Sequence, residues 1–175
     1  MRQWLVTWFK AARVPFLVVS FLPCLLGGVL AYARGSFDAL IFVLATVGIV
    51  MAHSAGDFVD DYFDFKKGNL GNKVQQFHDS PLIDGKVTLR QVIVATVLCL
   101  AVACAAGIVI FMKVGAPVLI LTAAGLVAVF FYTSPPLKLN YRGFGETVLF
   151  LAFGPMIVFG VWYVLSGRVA LEPLL

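Results

Sequence analysis

The stretch richest in reactive groups is His53-Ser54-Ala55-Gly56-Asp57-Phe58-Val59-Asp60-Asp61-Tyr62-Phe63-Asp64-Phe65-Lys66-Lys67-Gly68, which holds four of the chain's nine acidic residues within eight positions. On a helix turning about 100° per residue, with Asp57 at zero, Asp60 falls near about −60°, Asp61 near about +40° and Asp64 near about −20°. The four carboxylates therefore share one arc of about 100°, and Phe58, Val59, Tyr62 and Phe63 lie outside it. Like charges at that spacing repel by about a few tenths of a kcal/mol per pair, and more where the dielectric falls. A cation must neutralise them. Mg²⁺ takes one or two carboxylates from a protein, keeps several waters and completes its shell with phosphate oxygens of a substrate. The pattern thus marks Asp57, Asp60, Asp61 and Asp64 as metal ligands and a diphosphate as the group they receive. The plainer alternative is a helix end whose acids pair with Lys66, Lys67 and other bases, at little energetic gain.

A second segment carries complementary charge: Tyr132-Thr133-Ser134-Pro135-Pro136-Leu137-Lys138-Leu139-Asn140-Tyr141-Arg142-Gly143-Phe144-Gly145-Glu146. Paired prolines cannot continue a helix, so the chain turns here. Lys138 and Arg142 could give a diphosphate charge-assisted hydrogen bonds, with Glu146 balancing one of them or lying in the next helix's first turn. Both bases equally suit a purely topological role.

The elements that must position these groups are membrane helices. Of the 175 residues, 61% are hydrophobic and 13% charged, against about 45–50% and 25% in soluble domains. That balance excludes a disordered chain, a coiled coil and a secreted disulfide scaffold. Five windows, 14–33, 39–56, 92–112, 114–137 and 147–167, contain no Lys, Arg, Asp or Glu. About 20 residues cross a hydrocarbon core of about 30 Å, and only helices or closed barrels satisfy their own backbone there. Continuous rather than alternating hydrophobicity selects helices. The expected architecture is one all-α, multi-pass transmembrane bundle over residues 1–175. Gly27, Gly28, Ala103, Gly107, Gly154 and Gly160 suit close helix packing within it. Cys24, Cys99 and Cys104 lie inside apolar runs and read as small core residues.

Charge fixes the sidedness. Arg2, Lys10, Arg13, Lys66, Lys67, Lys73, Lys86, Arg90, Lys138 and Arg142 fall on one side of the five windows, and only Arg34, Lys113 and Arg168 on the other. The positive-inside rule then places the N-terminus and the Asp-rich connection in the cytoplasm, in the cytoplasmic (inner) membrane. Thus the net charge of +4 serves topology, and no nucleic-acid partner is expected. The first window reads as a retained anchor rather than a cleaved signal. The longest connection, 57–90, has Gly68, Asn69, Gly71, Asn72 and Gly85 as turn signals and a histidine, His78, with no readable role. Residues 169–175 read as the entry to a sixth helix that stops short, as in a truncated chain.

Asp60 to Gly68 resembles the first Asp-rich motif of the UbiA superfamily of intramembrane aromatic prenyltransferases, in the form found in 1,4-dihydroxy-2-naphthoate prenyltransferases of menaquinone synthesis. Tyr132 to Glu146 is similar to that branch's segment after helix four, and Arg13 with Pro15 resembles its helix-one entry. The chain departs from the family in having Asp57 and Asp60 where Asn is usual, and Asn69-Leu70 where another Asp commonly follows the glycine. The resemblance implies a fold of about nine helices, with a second Asp-rich motif between helices six and seven, beyond residue 175.

It also implies Mg²⁺-dependent transfer of a polyprenyl group from its diphosphate to an aromatic acceptor within the lipid bilayer. Asp61, Asp64 and Tyr132 would act in catalysis, with Tyr132 offering its ring face to an allylic cation. Arg13, Lys138 and Arg142 would bind the diphosphate. His53, one turn before Asp57, could orient it, act as a base, or only satisfy a packing hydrogen bond. Two other classes stand beside this one. A truncated, non-catalytic membrane protein would bind Mg²⁺ or prenyl diphosphate, or would form an oligomer or join a second chain that completes the site. A cation transporter would place its acids in mid-span rather than at one end.

Overall fold

The computed structural model of the protein describes residues 2–68 and 80–167. Asn69, Gly71, Asn72, Lys73 and His78 of the long connection, and Arg168 with residues 169–175, lie outside the described residues. The described elements are all helical. α1 (Arg2–Ala11) leads through Arg13 and a short 3-10 turn (Val14–Leu17) into α2 (Val18–Ala33). There follow α3 (Ala39–Lys66), α4 (Leu89–Val114), α5 (Pro117–Phe131) and, after a 3-10 turn (Leu139–Arg142), α6 (Gly145–Ser166), which contains a π turn at Ala152–Met156.

Local chemistry explains the boundaries. The Asp38 carboxylate accepts from the Ile41 amide at 3.0 Å and so caps α3. At α4, the Thr88 hydroxyl accepts from the Gln91 amide at 3.3 Å and the Gln91 side chain from the Thr88 amide at 2.8 Å, a reciprocal capping box. Pro117 opens α5, where its missing N–H costs nothing. The π turn of α6 encloses Pro155, which has no amide to contribute to the ladder.

Four segments are long and apolar enough to cross a membrane: Val14–Ala33, Ala39–Lys66, Leu89–Val114 and Gly145–Ser166. The chain is an integral membrane protein. The expected fourth span, 114–137, is instead divided: α5 has 15 residues, about 22 Å at 1.5 Å per residue, and residues 132–137 turn away before Leu139. Its paired prolines explain why the continuous hydrophobicity overstates the helix.

Outward side chains such as Leu26 and Val29 on α2, and Leu98, Ile108 and Met112 on α4, are exposed and apolar, as lipid requires. α3 packs chiefly on α4, and α2 on α6. Inside, Cys24, Ile41, Ala45, Ile110, Val118, Ile157, Val161 and Val164 form one core. A second core at the other end of α3 joins Ala11, Phe58, Leu82, Val87 and Val92. Cys24 is buried, Cys99 is half-buried and Cys104 is exposed, so only the first is a core residue as expected.

Gly27 sits where α2 presses on α6: a Cβ there would lie 2.8 Å from the Val158 carbonyl oxygen and 2.9 Å from Val161 Cβ. At Gly154, by contrast, a Cβ would meet nothing within 4 Å, so the small residues do not all serve packing. Gly27→Ala should lower the thermal midpoint in detergent, with a loss of about 1–3 kcal/mol from overpacking. Gly125→Ala, with open space at its Cβ, should leave the midpoint unchanged or slightly raised.

Candidate functional site

α3 has 28 residues, about 42 Å at 1.5 Å per residue, against a hydrocarbon core of about 30 Å. With Asp38 at one boundary, its last two turns emerge at the other. A helix of that length carries Asp60, Asp61 and Asp64 past the thickness of the hydrocarbon core, still in helical conformation as the sequence arc requires. They do not face open water: Asp60 and Asp61 are each 8% exposed and Asp64 is fully buried. The back of this segment is buried too. Phe58 meets the Trp8 ring of α1 edge-on with centroids 6.3 Å apart.

Carboxylates removed from water need partners, and the structure supplies one from each side. Arg13, held in left-handed conformation at φ 47°, donates from Nη2 to Asp61 Oδ1 and places Nη1 4.0 Å from Asp57 Oδ1. Burial opposes the charge on this guanidinium, but Asp61, Asp57 and Asp60 outweigh that and hold its pKa above the ordinary arginine value. It stays cationic at any physiological pH. From the opposite side the Tyr141 hydroxyl donates to Asp64.

The sequence alternative of acids paired with Lys66 and Lys67 is not what these contacts show. Lys66 Nζ lies 4.8 Å from the centre of the Tyr62 ring, and Lys67 Nζ 3.8 Å from that of Tyr141. Lys67 also donates to the Thr133 carbonyl at 3.4 Å. The Asp-rich helix end and the proline turn thus meet, through Tyr141, Thr133 and Lys67.

Lys138 is half-buried, with φ 48°. Arg142 is exposed and donates to the Pro136 carbonyl at 3.3 Å. Glu146 lies in the first turn of α6, where a carboxylate suits the helix dipole. Gly145 permits the turn to close: a Cβ there would stand 2.5 Å from Asn140 Oδ1 and 3.3 Å from the Tyr132 hydroxyl. Behind the acids, Ser20 Oγ lies 3.0 Å from His53 Nδ1, which orients the ring, and His53 Nε2 is 3.7 Å from Asp57 Oδ2.

A cavity of 280 Å³ runs down the bundle from this point. At one end, which we take as its mouth, it is lined by His53, Asp57, Asp60 and Tyr132, and along its walls by apolar and small residues of α3, α4, α5 and α6 such as Ile49, Gly107, Leu121 and Phe153. Along α3 it reaches from Leu44 to Asp60, about 24 Å at 1.5 Å per residue. The lining is greasy along its length and acidic at one end.

Among the described residues no three His, Cys, Asp or Glu side chains converge into a closed metal cage. Mg²⁺ needs none, since one or two carboxylates, waters and substrate phosphates suffice. The donor set fits that mode: Asp57 and Asp60 line the cavity mouth with hard oxygen donors, and buried Asp57 Oδ2 has no hydrogen-bond partner among the described residues. Asp61 and Asp64 are engaged by Arg13 and Tyr141.

Sequence reasoning passes over Tyr141, Lys67, Thr133 and Ser20 as site residues. Tyr141 stands inside the quoted motif, where the neighbouring bases draw the attention. Ser20 carries no local signal for a partner 33 positions away.

The sequence model of the UbiA prenyltransferase family matches residues 20–175. UbiA prenyltransferase domain-containing protein 1 of Xenopus tropicalis is 32% identical over 181 residues, covering 99% of this chain and 50% of that protein. The protein of the same name from Gallus gallus is 31% identical, covering 99% and 52%, and that from Dictyostelium discoideum 29%, covering 85% and 46%. The chain thus spans about half the length of these relatives. They bear this name rather than that of the naphthoate branch.

Arg13→Ala would leave Asp61 buried without its cation. We expect a loss of about 2 kcal/mol, the low end for such truncations because the Arg13 side chain is 32% exposed. Thermal unfolding in detergent checks it, and Arg13→Ala/Asp61→Asn should recover most of the loss.

Proposed function

The chain belongs to the UbiA prenyltransferase family, and from that premise we propose that it transfers a polyprenyl group from its diphosphate to an aromatic acceptor. The observation that carries this reading is a cavity both apolar along the bundle and acidic at its mouth. An isoprenoid tail gains by leaving water for such walls, at about 25 cal/mol per Å² of apolar surface removed. Its diphosphate then lies beside Asp57 and Asp60.

Mg²⁺ bound there would act as a Lewis acid on the leaving diphosphate. Asp57, Asp60, Asp61 and Asp64 form its carboxylate environment, with Asp57 and Asp60 nearest the cavity. The remaining work belongs to the chain's own groups. Arg13 fixes the helix end and offers a permanent positive charge to the diphosphate, and Lys138 and Arg142 add theirs from the proline turn. Tyr132, at the cavity mouth, presents a ring face to the positive charge that grows on the allylic carbon. The bundle walls keep water from that carbon.

The distribution of basic residues supports a cytoplasmic N-terminus and acidic site, in a cytoplasmic membrane. The motif Asp60 to Gly68 supports a 1,4-dihydroxy-2-naphthoate acceptor in quinone synthesis. A second reading, a chain that binds Mg²⁺ and prenyl diphosphate without turnover, alone or beside another chain, is favoured by one observation: Asp61 and Asp64 are engaged by Arg13 and Tyr141, so that of the four carboxylates Asp57 and Asp60 line the cavity.

In the complete chain, Asp61→Ala or Asp64→Ala should abolish Mg²⁺-dependent prenyl transfer while membrane insertion persists. Turnover retained in both variants would confine Asp61 and Asp64 to holding the bundle and remove them from the chemistry. Metal-dependent binding with no product from the unsubstituted chain would select the second reading. Within the cavity, Gly107→Phe should weaken long polyprenyl diphosphates several-fold more than short ones in a competition binding assay.

A further inference from the structure

α1 is not needed to span the membrane, and neither its composition nor its position is that of a spanning element. With Trp4 at zero and about 100° per residue, Trp8, Leu5, Phe9 and Val6 fall near about 40°, 100°, 140° and 200°, and Lys10, Gln3 and Thr7 near about 240°, 260° and 300°. Arg2 falls near about 160°, inside the apolar half, so that half carries one cation at its N-terminal end while the other polar groups occupy a narrow strip. Only part of the apolar half is covered by protein: Trp8 and Ala11 pack with Phe58. Trp4, Leu5 and Phe9 are 62%, 56% and 51% exposed.

In sequence that exposed edge is followed by the exposed apolar side chains Phe16, Val18, Val19 and Phe21 at the start of the first membrane-spanning segment. The polar strip of Gln3, Thr7 and Lys10 lines a groove with Pro81, Asp84 and Lys86, on the side of the helix away from the exposed apolar edge. A short helix with an exposed aromatic and aliphatic edge and a polar strip opposite it has the pattern of one that lies flat at the membrane surface.

We propose that α1 is an in-plane membrane-surface helix, with Trp4, Leu5 and Phe9 seated at the acyl boundary, and that this seating holds Arg13 at the acidic end of α3. The bilayer surface is its occupant. α1 ends at Ala11, and Ala12 and Arg13 continue the turn by donating to the Trp8 and Lys10 carbonyls at 2.9 and 3.1 Å. The guanidinium that engages Asp61 and approaches Asp57 is thus tied directly to the docked helix. Lipid composition would reach the site by this connection.

The test uses the whole chain in lipid nanodiscs and does not depend on catalysis. A Trp8→Phe/Trp162→Phe variant leaves Trp4 as the single tryptophan of the three, and its fluorescence is quenched by lipids brominated at shallow or deep acyl positions. The proposal expects strongest quenching from shallow bromines. Strongest quenching from deep bromines, or none, would overturn it, the latter by placing this edge in water or under another protein.

Should that variant reconstitute poorly, Leu5→Cys and Lys10→Cys in the otherwise unchanged chain give a second readout with a water-soluble maleimide. The expected result is labelling several-fold slower at position 5 than at position 10 in nanodiscs containing phosphatidylglycerol. Equal rates would contradict the seating. Because neither measurement involves prenyl transfer, either can fail while the proposed function stands.

Discussion

The governing constraint is the placement of carboxylates at the edge of a membrane bundle where most of their surroundings are protein or lipid. An ionised group withdrawn from water must be paired, hydrogen-bonded or bound to a metal. Asp61 meets this demand with Arg13, and Asp64 with Tyr141. These two contacts fix the relation of three parts of the chain. Arg13 joins the start of the first spanning segment to α3, and Tyr141 joins the turn between α5 and α6 to the same helix end. The mouth of the cavity is defined where the three meet.

The other acids at this end, Asp57 and Asp60, differ in what they face. Both line the cavity, and the Asp57 oxygen nearest His53 lies beyond hydrogen-bond range of it, at 3.7 Å. The helix end thus divides its four carboxylates between holding the bundle together and presenting oxygen donors to an occupant. Such a division suits a stable bundle together with the proposed site, which would take a cation along with substrate phosphate. Carboxylates rather than amides at Asp57 and Asp60 keep oxygen donors and add charge beside the fixed Arg13 cation.

Much of this is legible in the residues alone. Runs without charge require membrane helices, and the helical arc shared by Asp57, Asp60, Asp61 and Asp64 is realised because α3 continues to Lys66. The meeting of the acidic and proline segments also follows from both lying at one surface. What the sequence does not supply is the choice of partners. Lys138 and Arg142 stand out as charges, but the contact to Asp64 comes from the neutral Tyr141. Hydropathy overstates α5 because it does not register that paired prolines end the helix at Phe131 while the apolar run continues to Leu137. α1 is hidden for a related reason: half of it is apolar, but it is too short to register as a span.

The central claim is that the acid-mouthed cavity binds a polyprenyl diphosphate by both of its ends, tail in the bundle and headgroup at the carboxylates with a divalent cation. Its most direct test is calorimetric titration of the reconstituted chain with a polyprenyl thiolodiphosphate, with Mg²⁺ present and after chelation, beside the matching polyprenyl alcohol. The account predicts binding that requires Mg²⁺ and that the alcohol does not reproduce. Equal uptake of the thiolodiphosphate without metal, or equal affinity for the alcohol, would contradict it.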